Sequence, residues 1–237
     1  MPSPSVVRAL EIRCGNALLR MRAALAALEI GPLRYSRFTG IRTFTTRDEL
    51  LALYRAARDL PPNSNAVEFG SYHGASTCFI AAGLARSGGR LYCIDNWESH
   101  NMPEKSGGDF EVFQKNLEAY RDVVTPIRAQ AKDIIPDMLP GLIDFAFIDG
   151  DHSHAGVRND LTKILPRLTA QATLAFHDVR WFQGVSVAIG ELLSSGEWAI
   201  WLLENNLIVL KRCQEWSHDS TQSGPGIVSP YLAHRRV

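Results

Sequence analysis

Ala66-Val67-Glu68-Phe69-Gly70-Ser71-Tyr72-His73-Gly74-Ala75-Ser76-Thr77 is the stretch whose reading decides the fold. It reads as a buried strand, a sharp glycine turn and the opening of a helix. Gly70 and Gly74 are spaced G-x-x-x-G, which lets backbone approach a ligand where side chains would collide. The helix that follows offers unpaired N–H groups to an anionic partner. A dinucleotide fingerprint needs G-x-G-x-x-G here, and that pattern is absent. Strand–glycine–helix turns also occur in purely structural βα units, so the remaining strands must decide.

From Asn65 onward, strand and helix patterns alternate, as in a doubly wound parallel sheet. The expected strands are Ala66–Phe69, Arg90–Asp95, Val123–Arg128, Ile143–Ile148 and Ala172–Phe176. Trp198–Leu203 and Leu207–Lys211, joined by Glu204-Asn205-Asn206, suit an antiparallel hairpin that closes the sheet. The fold class expected is α/β: a Rossmann-like, mostly parallel seven-stranded sheet with that C-terminal hairpin and an N-terminal helical extension. Helices are expected from the glycine turn to about Arg86, near Phe110–Tyr120, around Ile134–Met138, up to about Leu165, and near Val185–Leu193. The polar segment Asn96–Gly108 is long and glycine-bearing, and reads as a mobile active-site loop.

Upstream, Ser3-Pro4 opens and Gly31-Pro32 stops an amphipathic helix. Val7, Leu10, Cys14, Ala17, Met21, Ala24 and Leu28 form its apolar stripe, which suits docking on the domain, a lid or a homo-oligomer contact. Tyr35–Thr45 reads as a loop. Thr46-Arg47-Asp48-Glu49 is a capping box opening a helix that Pro61-Pro62 ends. Residues 1–45 are thus read as the extension, 46–212 as the catalytic domain and 213–237 as a loosely held tail.

The 237 residues are 46% hydrophobic and 21% charged, an ordinary globular composition. Lys+Arg and Asp+Glu balance at 25 each, so no global field favours nucleic acid or an anionic membrane. Cys14, Cys78, Cys93 and Cys213 lack C-x-x-C spacing, which fits a reducing cytosol better than a disulfide framework.

Ligands of an open parallel sheet bind outside the carboxyl ends of its strands. Strand one delivers Glu68 and the Gly70–Gly74 turn with Ser71 and Ser76; strand two delivers Asp95, an acid suited to ribose hydroxyls. The turn after strand three presents Gln130, whose amide can address an adenine edge. Strands four and five deliver Asp149, Asp151, His152, His177 and Asp178. Trp97 and Trp181 either pack or stack on a sugar face. His154 either starts the next helix or faces the pocket. His73, His100 and His218 read as solvated or hydrogen-bonded loop histidines.

Glu68, Gly70, Ser71 and Gly74 resemble the first motif of the class I S-adenosylmethionine-dependent methyltransferases, and the resemblance spans roughly Asn65–Arg212. Ile148-Asp149-Gly150-Asp151-His152-Ser153-His154 with Ala175-Phe176-His177-Asp178-Val179 is more narrowly similar to a bacterial group related to metal-dependent O-methyltransferases. That group includes sugar O-methyltransferases acting on antibiotics and relatives of catechol O-methyltransferase. The resemblance implies S-adenosylmethionine bound by Glu68, Gly70, Ser71, Gly74, Ser76, Asp95, Gln130 and Asp149. It implies magnesium or manganese held by Asp149, His177 and Asp178, although His177 stands where a carboxylate is usual. The general base falls on Asp151 by the sugar enzymes and on His152 by the catechol enzyme. The acceptor implied is a small hydroxylated molecule, a saccharide first, with a methylmannoside one instance. Two rivals remain: a nicotinamide-dependent oxidoreductase, disfavoured by the missing fingerprint, and a non-catalytic cofactor-binding assembly subunit.

Overall fold

The computed structural model describes the backbone of residues 4–98 and 109–213, with side chains from residue 17 onward. Three helices lead: α1 (Pro4–Ile30), α2 (Pro32–Thr39) and α3 (Arg47–Arg58). Alternation follows through β1 (Asn65–Phe69), α4 (Ala75–Leu84), β2 (Arg90–Asp95), α5 (Asp109–Asn116), β3 (Val124–Arg128), β4 (Ile143–Ile148), α6 (His154–Ile164), β5 (Leu168–Phe176) and α7 (Gln183–Ser194). The hairpin β6 (Trp198–Glu204) and β7 (Leu207–Arg212) ends the described chain. The sheet order is β3-β2-β1-β4-β5-β7-β6. Strands β1 to β5 pair in parallel, and β7 runs antiparallel to both β5 and β6. This is the seven-stranded methyltransferase variant of the Rossmann plan. The order reverses between β1 and β4, so their carboxyl ends flank the switch point where such sheets bind ligands.

The central strands are apolar on both faces because helices cover both. In β4, Phe145 and Phe147 join the core beneath α3 and α4, while Ala146 and Ile148 join the core beneath α6 and α7. Each fully buried phenylalanine contributes about 2–3 kcal/mol. At Gly83, a Cβ would stand 2.7 Å from Arg58 N and 2.8 Å from Tyr54 O, so α3 lies directly on α4. This closeness brings the start of α3 over the sheet.

The upstream segment differs from expectation in two ways. Residues 32–39 form a helix rather than a loop, because Pro32 suits a first helical turn and Tyr35 and Phe38 pack edge-on against Phe79. On α1, the docked face is Ala26 and Ile30, with Ala23 and Ala27 partly buried. The apolar stripe points away from the domain, against docking among its three readings, with Met21 and Leu28 exposed beside Leu18 and Leu25. The side chains of the stripe members Val7, Leu10 and Cys14 are outside the described part of α1, and the segment 99–108 with His100 and the tail from Gln214 lie outside the described residues. Among the described residues, no helix is long and apolar enough to cross a membrane.

Candidate active site

The glycine turn is built around two acids. Glu68, on the penultimate position of β1, is fully buried; it accepts hydrogen bonds from Ser71 Oγ at 2.8 Å, Ser76 Oγ at 2.6 Å, Thr77 Oγ1 and Cys93 Sγ at 3.3 Å. Burial pushes its carboxyl up, against these bonds, which favour the charged form. Glu68, Ser71 and Ser76 therefore turn their side chains inward and fix the turn from beneath. Asp95, ending β2, accepts from the N–H groups of Ser71 at 2.9 Å, Tyr72 at 2.8 Å and Trp97 at 2.7 Å. A carboxylate has about four acceptor sites, so most of its capacity already holds the turn.

Gly70 (φ 82°) lies against the β4 tip: a Cβ there would stand 2.1 Å from Asp149 O. Its bareness is thus required by the neighbouring strand, independently of any ligand. Gly74 caps α4 in the left-handed conformation. Trp97 is buried, tilted against Phe110 and Phe113, and donates its indole N–H to Tyr72 O at 2.9 Å. It packs; Trp181, 69% exposed, does not. Gln130 is exposed at the carboxyl end of β3, where Ala129 N bonds Asp95 O.

Across the switch point, four residues converge. His152 Nε2 lies 3.0 Å from Asp178 Oδ2 and 3.5 Å from Asp149 Oδ1, and its ring stacks on Phe182 with centroids 4.5 Å apart. His177 Nδ1 faces Asp178 Oδ1 at 3.2 Å and Asp149 Oδ1 at 3.5 Å, while its Nε2 faces Glu49 Oε2 at 3.3 Å. Burial penalises the charge on His177, but the three carboxylates outweigh it and push the imidazole up to about 12. Burial likewise opposes the charge on Asp149, yet the two imidazoles hold its carboxyl below the usual range. His152, more open to solvent, is raised above its ordinary value by Asp149 and Asp178 despite burial.

Asp149, His152 and Asp178 each bring one potential ligand atom to within 4.8 Å of the others. Two carboxylates and an imidazole suit a divalent cation of the manganese or zinc kind better than a purely oxygen-loving one. The imidazole in this cluster is His152. His177, expected as the third ligand, is nearly inaccessible and has both ring nitrogens against carboxylates. Asp151 sits apart: its Oδ1 accepts from Ser153 N at 2.9 Å at the mouth of α6. His154 begins α6 and bonds Glu191 at 2.9 Å. His73 is held by Asp109 at 3.0 Å and stacks on Tyr72.

Two participants escape the sequence reading. Glu49 caps α3 and also reaches the β5 tip. Asn206, in the hairpin turn, donates Nδ2 to Asp178 Oδ1 at 2.7 Å and accepts from Arg180 N at 2.8 Å; its own N–H donates to Glu49 Oε1 at 2.7 Å. These bonds hold Asp178 at φ 61°, a conformation uncommon outside glycine and typical of strained functional positions. Glu204-Asn205-Asn206 reads locally as turn chemistry, and nothing in that stretch signals its reach. A depression of about 180 Å³ opens beside the cluster, lined by Phe44, Thr46, Arg180, Trp181 and Asn205 among others. A larger one of about 570 Å³ follows the β3 edge near Leu117 and Val124, away from the acids and histidines.

Residues 67–179 match the family model described as "Methyltransferase domain". No curated protein matches the chain by sequence. Among solved structures, the fold resembles the O-methyltransferase NovP at 14% identity and TM-score 0.56, covering 69% of this chain and 78% of that one. It also resembles CalS11, a TDP-rhamnose 3'-O-methyltransferase of calicheamicin biosynthesis, at 19% identity and TM-score 0.55, covering 71% and 81%. An O-methyltransferase from Bacillus cereus in complex with SAH aligns at 16% identity and TM-score 0.55, covering 83% and 90%. With the glycine turn after β1, the acid ending β2 and the antiparallel β7, residues 67–179 match a methyltransferase domain carried on a Rossmann-like fold.

Proposed function

We propose that the chain transfers the methyl group of S-adenosylmethionine to a hydroxyl oxygen of a small acceptor, a saccharide first, with His152 as general base. The observation that carries this reading is the 3.0 Å approach of His152 Nε2 to Asp178 Oδ2 at the switch point. The cofactor lies over the Gly70–Gly74 turn, with Asp95 toward its ribose and Gln130 toward its base. The acceptor occupies the depression beside Trp181 and Phe44, whose exposed rings suit the apolar face of a sugar. The fold relatives NovP and CalS11, the latter a TDP-rhamnose 3'-O-methyltransferase, support the oxygen acceptor and the saccharide.

In the transfer, the acceptor oxygen forms a bond to the methyl carbon as the carbon–sulfur bond breaks in line. The sulfonium becomes a neutral thioether. The hydroxyl proton passes to His152 Nδ1, the ring nitrogen the carboxylates do not engage, while Nε2–H stays on Asp178 Oδ2 and the two aspartates stabilise the imidazolium that results. Phe182 fixes the ring plane by stacking. Alignment of the three atoms supplies much of the rate.

A second reading rests on the ligand atoms within 4.8 Å. Asp149, His152 and Asp178 would hold a divalent cation, which when bound polarises the acceptor oxygen. His152 would then orient the site rather than take the proton. Turnover measured in chelator, and again with added magnesium or manganese, separates the two. Full activity in chelator leaves His152 as the base; loss and recovery favour the cation. Release of SAH with a panel of hydroxylated acceptors tests the reaction itself, and cofactor binding without turnover on any of them would instead favour an assembly subunit.

The exposed α1 face of Leu18, Met21, Leu25 and Leu28 supports a homo-oligomer contact, since an apolar stripe continuous over successive turns marks an interaction surface.

A further inference from the structure

The geometry points to Glu49 as a positioning residue that acts through His177 on the paired carboxylates of Asp149 and Asp178. This rests on the proposed reading of those carboxylates with His152 as the reacting set. Glu49 is the third residue of α3 and closes its capping box: its Oε2 accepts from Thr46 N at 2.6 Å and Thr46 Oγ1 at 2.8 Å. A capping box needs no more than this, and glutamine serves it as well as glutamate. Cap glutamates ordinarily sit at the solvated mouth of a helix, because a buried charge is costly unless paired.

Glu49 departs from that pattern in three respects. It is fully buried. Its second oxygen, Oε1, accepts from Asn206 N at 2.7 Å. Its Oε2 also stands 3.3 Å from His177 Nε2. An ionised carboxylate can only accept, so Nε2 must carry a hydrogen. That fixes the ring flip and aims Nδ1 at Asp178 Oδ1 and Asp149 Oδ1, 3.2 and 3.5 Å away. One side chain of the leading helices thus sets the orientation of an imidazole that touches both acids at the tips of β4 and β5. Through Asn206 it also braces the hairpin that holds the Asp178 backbone. The leading segment is in this way a structural part of the active site.

Two variants separate positioning from capping. Glu49→Gln keeps one amide oxygen as the acceptor for Thr46, loses the acceptor for Asn206 N–H and withdraws the charge from His177; Thr46→Ala breaks the cap and leaves the charge in place. Positioning predicts that Glu49→Gln lowers kcat by about 10- to 100-fold with cofactor affinity unchanged. Thr46 also lines the acceptor depression, so Thr46→Ala is read by stability and by the His177 ring alone: it should lower Tm. Proton NMR gives a readout independent of turnover: the wild-type protein should show a slowly exchanging Nε2–H resonance from His177, retained in Thr46→Ala and lost in Glu49→Gln. If wild-type protein transfers no methyl group, the methyl-transfer reading fails while the ring resonance still decides on Glu49. Absence of that resonance in the wild type, or its persistence in Glu49→Gln with unchanged kcat, would overturn the proposal.

Discussion

Asn206 Nδ2 donates to Asp178 Oδ1 over 2.7 Å, tying the turn of the β6–β7 hairpin to the tip of β5. The antiparallel strand that marks this branch of the Rossmann plan therefore reaches the site directly. Asn206→Ala should cost about 1–3 kcal/mol in urea unfolding, because a buried and a part-buried hydrogen bond to the Asp178–Arg180 turn disappear. Asn206→Asp should lower turnover further, since it sets a second carboxylate against Asp178. Equal activity of the two variants would show that the contact does not position Asp178.

Asp160, inside α6, is a buried carboxyl with no hydrogen-bond partner for either oxygen. Burial pushes it up to about 7 from an ordinary 3.8. The folded state holds this proton more tightly than the unfolded one, so the sign is the reverse of an ion-paired aspartate. Its contribution to stability is greatest below pH 3.8, falls as pH rises toward 7, and is flat beyond. Asp160→Asn removes the dependence, so its advantage over wild type should grow by about 3 kcal/mol between pH 5 and pH 8. A constant difference across that range would refute the assignment.

Asp95 secures two backbone N–H groups of the glycine turn and that of Trp97. Asp95→Ala should therefore weaken S-adenosylmethionine binding by about 2–3 kcal/mol in calorimetry and also lower Tm. An affinity equal to wild type would remove Asp95 from the cofactor site. Gly70→Val cannot serve this purpose, because its side chain would first strike Asp149 O.

Glutamate at both Leu25 and Leu28 should leave the fold intact, because both side chains face outward. If this face joins two copies, the variant sediments at half the wild-type mass. An identical mass in both would dismiss α1 as the contact.

Most of the sheet was legible because buried apolar runs such as Ile143–Ile148 stop abruptly at polar residues, and in a parallel sheet those stops share one edge. Direction and partnership were not legible. Periodicity on α1 identifies a stripe without saying whether it meets the domain or solvent. Glu49 was hidden because the capping box explains it completely at short range. His152 and His177 were interchangeable as letters; only the packing of α3 on α4 assigns His177 to Glu49 and leaves His152 toward the opening. The reach of Asn206 depends on the hairpin register, which pairs Phe176 with Ile208.

The central claim is most directly tested by SAH formation from S-adenosylmethionine across hydroxylated acceptors, saccharides included, with wild-type protein and His152→Ala side by side. The prediction is that wild type turns over at least one hydroxylated acceptor. His152→Ala should lose about 10²- to 10⁴-fold in kcat while cofactor affinity in calorimetry stays the same. Undiminished SAH formation by His152→Ala, or none by wild type with any hydroxylated acceptor, would contradict it.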